Sequence, residues 1–423
     1  MSPYKFPLLK LPRVALNEVL KLFTPFEIIS FSLCSNYTKS ICKTIRAVSQ
    51  CKETLTKFDV FIDSHYEIHL QFSYLPAHDW VFYMRKKRPV PESTRDRRFV
   101  DNVREFFRGE KRILKFFGSR KSRKQKLSKY VSSWDPRRRV VEHCTGGRGT
   151  ITTTEYALRL RTSDCLISAT RNLCFHISEI FHHEIQAFAF DYKMFGIEEN
   201  QLILELFCQQ PVQQFQLSGD TSNDSSKNDI LTEILTQQKA INRLNLRFNP
   251  SVDYRFDLNQ FENRSDSLNI LHSHWITFQQ LQEIKSQMVF LSRSNFLQAD
   301  FKVLIQKWRD GWSPNWEALM IEFNEDINID KCVEGQFIQL QTKDWKNKKA
   351  VYRNSPIQLN RFVGSHKPSW GRLTRTGYHI LRSDGTIASI GIEKKRIGWF
   401  HIQSNDNNSR IEMTVHFRAY ENN

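Results

Sequence analysis

Short apolar strands recur through the second half of this 423-residue chain. A recurring strand constrains a fold more than any single motif, because units that cannot bury their own faces must stack on one another. The pattern places apolar residues at positions 1, 4 and 6. It is clear at Ile185-Phe188-Phe190, Val212-Phe215-Leu217, Ile241-Leu244-Leu246 and Trp316-Leu319-Ile321, with weaker copies starting at Leu268 and Met288. The six starts lie 20 to 29 residues apart. Helical spacing fills the intervals, in "EENQLILELFCQQ", "NDILTEILTQQKA", "TFQQLQEIKSQ" and "ADFKVLIQKWRDG". The expected fold is α/β (α+β), with a strand–helix solenoid over residues 150–323.

A period of this length is similar to that of leucine-rich repeats. The flanks read differently. Residues 55–84 contain "KFDVFIDSHYEIHLQF", whose period-two alternation around Asp63-Ser64 predicts a β meander. Residues 324–423 contain "GYHILRSDGTIASIGI", two alternating segments around Asp384-Gly385, and later "WFHI" and "RIEMTVHFRAY". They predict a β-rich cap on the open end of the solenoid.

The net charge is +17, but it is not spread evenly. Between Arg85 and Arg139 there are 21 Lys or Arg and six Asp or Glu, an excess of 15, so the remaining chain carries 17 minus 15, or +2. Residues 85–148 therefore read as a basic insert and linker. Apolar residues from Phe99 to Phe117 within it fall near helical spacing, and "SRKSRKQKLSK" and "DPRRR" read as solvated. Aromatics interleave with the basic residues, which leaves a nucleic-acid-binding or nuclear protein acting through residues 85–139 as the alternative function. The eight cysteines form no Cys-x-x-Cys pair and read as reduced thiols of a cytoplasmic or nuclear protein. Neither a signal peptide nor a membrane span is expected.

Catalytic signatures are missing from the sequence. His182-His183-Glu184 lacks the spacing of a zinc-protease helix, and His272 and His274 have no cysteine or carboxylate at ligand spacing. No nucleophile elbow or phosphate-binding glycine loop occurs. No metal, no cofactor and no enzymatic activity are expected.

The first 50 residues have their own logic. Leu11-Pro12 opens a short amphipathic segment, Thr24-Pro25 supplies a turn with proline at the first helical position, and "FEIISFSLCS" follows. This order resembles an F-box. The wording "FPLLKLP…VLKLFTPFEIISFSLCS" is similar to the nematode group of F-box proteins. Two later stretches, "FLQADFKVLIQKWRDGWSPNWEALMIEF" and "YHILRSDGTIASI", are similar to the F-box-associated (type 2) domain of that group. The long basic insert departs from the family pattern.

That resemblance implies a non-catalytic subunit of a Skp–cullin–F-box ubiquitin ligase, binding the Skp-type adaptor and cullin through residues 1–50 and an unidentified protein substrate through the repeat domain. Leu11, Pro12, Leu16, Val19, Leu20, Phe26, Ile28 and Phe31 are the expected adaptor contacts or their support. In the repeats, residues between the apolar positions face outward. Read in register, the column at position 5 is Ala189, Gln216, Asn245, His272, Ser292 and Met320. The column at position 7 is Asp191, Ser218, Arg247, His274, Ser294 and Glu322. These mostly polar columns predict an uncovered recruiting surface centred on Gln216, Asn245, Arg247, His272 and His274.

Overall fold

The computed structural model describes residues 8–48, 55–86, 133–144, 150–261, 264–333, 338–339, 378–384 and 386–402. The helix expected over Phe99–Phe117, the segment "SRKSRKQKLSK" and the strand expected in "RIEMTVHFRAY" lie outside them. The chain divides into two compact units. Unit 1 comprises Met1–Cys144, Thr150–Phe190 and Gln201–Phe207; unit 2 comprises Thr145–Gly149, Asp191–Asn200 and Cys208–Asn423.

Unit 1 opens with three helices, α1 (Arg13–Lys21), α2 (Pro25–Ser32) and α3 (Asn36–Val48). Strands β1 (Leu55–Ile62), β2 (Tyr66–Phe72), β3 (Leu75–Lys86), β4 (Ser133–Cys144) and β5 (Thr150–Thr162) follow. Helix α4 (Leu166–Phe181) and strand β6 (Ala187–Asp191) complete it. The sheet order is β6-β1-β2-β3-β5-β4. The meander is present: β1 pairs antiparallel with β2, and β2 with β3. "DPRRR" is not linker, because it lies in β4 and pairs antiparallel with β5. The register slips between Ser133 and Arg137, around Pro136, which has no N–H for the ladder. An edge strand tolerates both the proline and the charges.

Strands β1 and β2 alternate cleanly, while β3 buries Trp80, Val81 and Phe82 in succession. Phe58, Val60, Ile62, Ile68, Leu70, Phe72, Trp80 and Phe82 are buried on the helix-covered face. Helix α4 supplies part of that cover through Ile167, Leu173, Cys174, Ile177 and Ile180, an i, i+3, i+4 stripe, and Phe181 meets Phe72 edge-on at 5.2 Å. The other face is charged. His69 Nδ1 lies 2.9 Å from Asp79 Oδ2 and Nε2 lies 3.0 Å from Glu67 Oε2, while Lys57 Nζ sits 3.5 Å from Asp59 and 3.7 Å from Asp79. Burial alone would lower the His69 imidazole, but its bonds to Asp79 and Glu67 outweigh that and hold it up at about 9.

Unit 2 carries a run of parallel strands. Helix α5 (Ile197–Phe207), whose Gln201–Phe207 belong to unit 1, precedes in sequence the five strands of unit 2: β7 (Val212–Asp220), β8 (Ala240–Asn249), β9 (Ser267–Ile270), β10 (Met288–Leu291) and β11 (Ala318–Glu322). Each pairs parallel with the next. Helices α6 (Asn228–Gln237), α7 (Phe278–Glu283) and α8 (Gln298–Arg309) occupy three of the four connections. Between β8 and β9 aromatic packing takes the helix's place, with Phe248 6.2 Å from Tyr254 and stacked on Trp275 at 6.0 Å. Beyond β11 the sheet continues antiparallel through β15 (Ile397–Ile402), β14 (Ile387–Glu393), β13 (Tyr378–Leu381) and β12 (Ile338–Gln339). Trp399 lies across Gly391, where an added Cβ would come within 2.5 Å of the indole.

The register corrects the weak repeats. Leu268 lies opposite Leu244 and Ile270 opposite Leu246, so Leu268 holds position 4 and not position 1. Met288 lies opposite Ser267 and Ala318, at position 3. The column beside Gln216 and Asn245 therefore runs Asn269, Phe290, Met320. His272 and Ser292 fall beyond the ends of the four-residue strands β9 and β10, as does His274. The misreading has a physical cause. Leu268 and Leu271 match the spacing of positions 1 and 4, but Leu268 and Ile270, two apart, are the pair that the pleat buries.

Candidate functional site

Helices α1 to α3 form the first candidate surface. Their start signals are local: Thr24 Oγ1 accepts from the Glu27 N–H at 3.3 Å, and Thr24 N–H donates to Glu27 Oε2 at 2.7 Å, a reciprocal cap with Pro25 at the first helical position. Leu16, Leu20, Ile28, Phe31, Cys42 and Ile45 make one apolar cluster, closed by Ile180 of α4, with Leu11 packed on its margin. Phe26 points elsewhere. It meets Trp80 at 5.0 Å and Phe82 at 4.9 Å, both edge-on, and so joins α2 to the sheet.

Polar contacts reinforce the same junction. Ser32 Oγ and His176 Nε2 are 2.7 Å apart. Lys39 pairs with Glu179, and Lys43 Nζ reaches the same carboxylate at 3.3 Å. Burial, and then the Lys39 charge, push the His176 imidazole down to about 4, so it is neutral at pH 7. The Lys39 hydrogen bond holds Glu179 below the ordinary carboxylate range.

The expected adaptor residues thus divide. Leu16, Leu20, Ile28 and Phe31 are the unit's own core, and Phe26 is taken up by β3. Leu11 and Val19 are half-buried, and Pro12 is exposed. The outward apolar side chains among the described residues of these helices include three that sequence reading passed over: Val14 at 76% exposure, Leu22 at 85% and Tyr37 at 62%. Val14, Glu18 and Leu22 are four apart and share one stripe of α1 and its C-cap. The signal was available, since these residues lie off the Leu16–Leu20 face.

The second surface is the sheet face of unit 2 that alternates with the buried one. Gln214, Gln216 and Ser218 of β7 lie beside Arg243, Asn245 and Arg247 of β8, and Asn245 lies beside Asn269 of β9. Asn245 is 9% exposed, and its Oδ1 has no hydrogen-bond partner among the described residues. Arg247 is exposed and Gln216 half-buried. Arg243, which sequence reading left out, sits on the same face, and burial lowers its guanidinium below the ordinary value. At the other end, Phe290, Met320, Trp399 and Ile397 form a small apolar cluster. His272 lies past β9, with Nε2 3.3 Å from Arg293 Nη1, and burial depresses both His272 and His274. Among the described residues no group of three or more His, Cys, Asp or Glu is placed to hold a metal ion. No helix among them is long and apolar enough to cross a membrane.

Residues 8–47 match the F-box domain, so the three helices are an F-box domain, the element through which proteins generally bind a Skp-type adaptor of ubiquitin ligases. Comparison with curated proteins and with solved structures gave no match.

Proposed function

We propose that this protein is a substrate-recruiting, non-catalytic subunit of a Skp–cullin–F-box ubiquitin ligase. The observation that carries the proposal is the F-box match over residues 8–47, on helices that keep apolar side chains turned outward. A helix-rich unit offering Val14, Leu22 and Tyr37 to solvent has apolar side chains available to a partner. Pro12 and Leu11 lie at its N-terminal margin, and Leu16, Val19, Leu20, Ile28 and Phe31 support it from beneath.

The finer readings belong to the same proposal. Unit 2 is read as a leucine-rich-repeat-like solenoid with a β-rich cap, the F-box-associated domain of the nematode type, and its polar sheet face as the substrate-recruiting surface. Five successive parallel strands and a face carrying Gln216, Asn245 and Arg247 support this.

The test is co-purification of the full chain with a Skp-type adaptor and cullin, comparing wild type with Val14→Asp/Leu22→Asp. Both positions are exposed, so the fold should survive while adaptor binding falls by at least about 30-fold, as for loss of one interface anchor of about 2 kcal/mol. Full adaptor retention by a folded double variant would contradict the proposal.

A further inference from the structure

The β8 face of unit 2 holds a pair of cations with nothing to answer them. Arg243 and Arg247 are two strand-face positions on either side of Asn245, and neither has an ion pair or hydrogen-bond partner among the described residues. The flanking positions are Gln214, Gln216 and Ser218 on one side and Ser267 and Asn269 on the other, with no carboxylate among them. The acids at the ends of the sheet are already engaged: Asp220 accepts from Ser222 and Asn249, and Glu322 Oε2 accepts from the Arg293 N–H. Between the two arginines Asn245 is nine-tenths buried, and its Oδ1 accepts from nothing among the described residues. A buried acceptor and a half-buried cation, both unpartnered, cost free energy that a bound ligand would recover.

From this geometry we infer that β8 binds an extended acidic peptide segment, with carboxylates four residues apart facing Arg243 and Arg247 and a backbone N–H donated to Asn245 Oδ1. Side chains four residues apart on one face of a strand are about 13 Å apart, and so are side chains four residues apart in an extended peptide, so the spacings match. Guanidinium groups favour carboxylates through paired N–H donors. Nucleic acid fits less well, since phosphate-backbone tracking relies on a longer run of cations than two with amide neighbours. The inference rests on the reading of this face as the recruiting surface, and names the chemistry of what is recruited.

The experiment is fluorescence anisotropy on the purified full chain. The probes are a labelled peptide with two glutamates four residues apart, a peptide of the same composition with its glutamates adjacent, and a single-stranded oligonucleotide. The peptide with glutamates four residues apart should bind best, weaken as salt is raised, and lose about tenfold or more affinity in Arg243→Gln/Arg247→Gln. Asn245→Leu keeps the volume and removes the acceptor, and it should also weaken binding. Thermal melts of the variants report folding separately, and the arginine variant should be no less stable than wild type, since it relieves a half-buried cation. Equal peptide binding by the folded arginine variant, no peptide binding by wild type, or tighter binding of the oligonucleotide would each overturn the inference. Adaptor co-purification from the same preparation keeps the two readings apart. Loss of peptide binding with the adaptor retained rejects this inference alone, while peptide binding without the adaptor rejects only the ligase assignment.

Discussion

His176 and His69 set opposite edges of the pH range over which unit 1 is stable. The folded value of His176, about 4, lies below its ordinary 6.5, so the unfolded chain takes up a proton that the folded chain refuses. Stability should decline as pH falls from about 6.5 towards 4, and His176→Asn should flatten that limb. His69 runs the other way. Its folded value of about 9 lies above 6.5, so its contribution is complete below 6.5 and disappears as pH rises through 9. That contribution is about 3 kcal/mol at most, shared with the carboxylates of Asp79 and Glu67. Urea melts of wild type, His176→Asn and His69→Asn across this range would read both limbs. A wild-type curve that is flat from pH 4 to 10 would contradict both assignments.

Phe26 fixes how α2 meets the sheet. Removing its ring in Phe26→Ala leaves Trp80 and Phe82 without their edge-on partner, and the expected cost is about 3–5 kcal/mol of unit 1 stability. Differential scanning calorimetry would measure it, and a melting temperature within a degree of wild type would rule out this packing. The helices themselves were legible in the sequence because their signals are local. Thr24-Pro25 and Glu27 declare a helix start, and Leu16, Leu20, Ile28 and Phe31 declare a buried face. The parallel run was legible too, through the two-residue spacing of Phe215-Leu217, Leu244-Leu246 and Leu319-Ile321. Register in β9 and β10 was not, because four-residue strands bury only two side chains each and fit more than one alignment. Helix α4 lies before the strand repeat, which opens at Ile185, so the period of the strands does not mark it although its own stripe from Ile167 to Ile180 is regular. Partner choice was the least legible. Phe26 and Leu20 are alike in sequence, and only the fold sends one to β3 and the other to the three-helix core.

At the scale of the molecule, the F-box is built into unit 1 and is not a detachable module. Ile180 closes its core, Glu179 takes Lys39 and Lys43, and Phe26 joins α2 to β3. Deleting residues 1–50 would uncover Trp80, Phe82 and Ile180 and unfold unit 1 along with removing the docking surface. Surface substitutions avoid that confusion, because Val14 and Leu22 are exposed and contribute little to the core. The most direct measurement is therefore the amount of Skp-type adaptor recovered with full-length wild type and with Val14→Asp/Leu22→Asp, alongside thermal melts of both. The account predicts stoichiometric adaptor with wild type and almost none with the double variant, at an unchanged melting temperature. Adaptor recovered equally with both, or with neither folded protein, would contradict it.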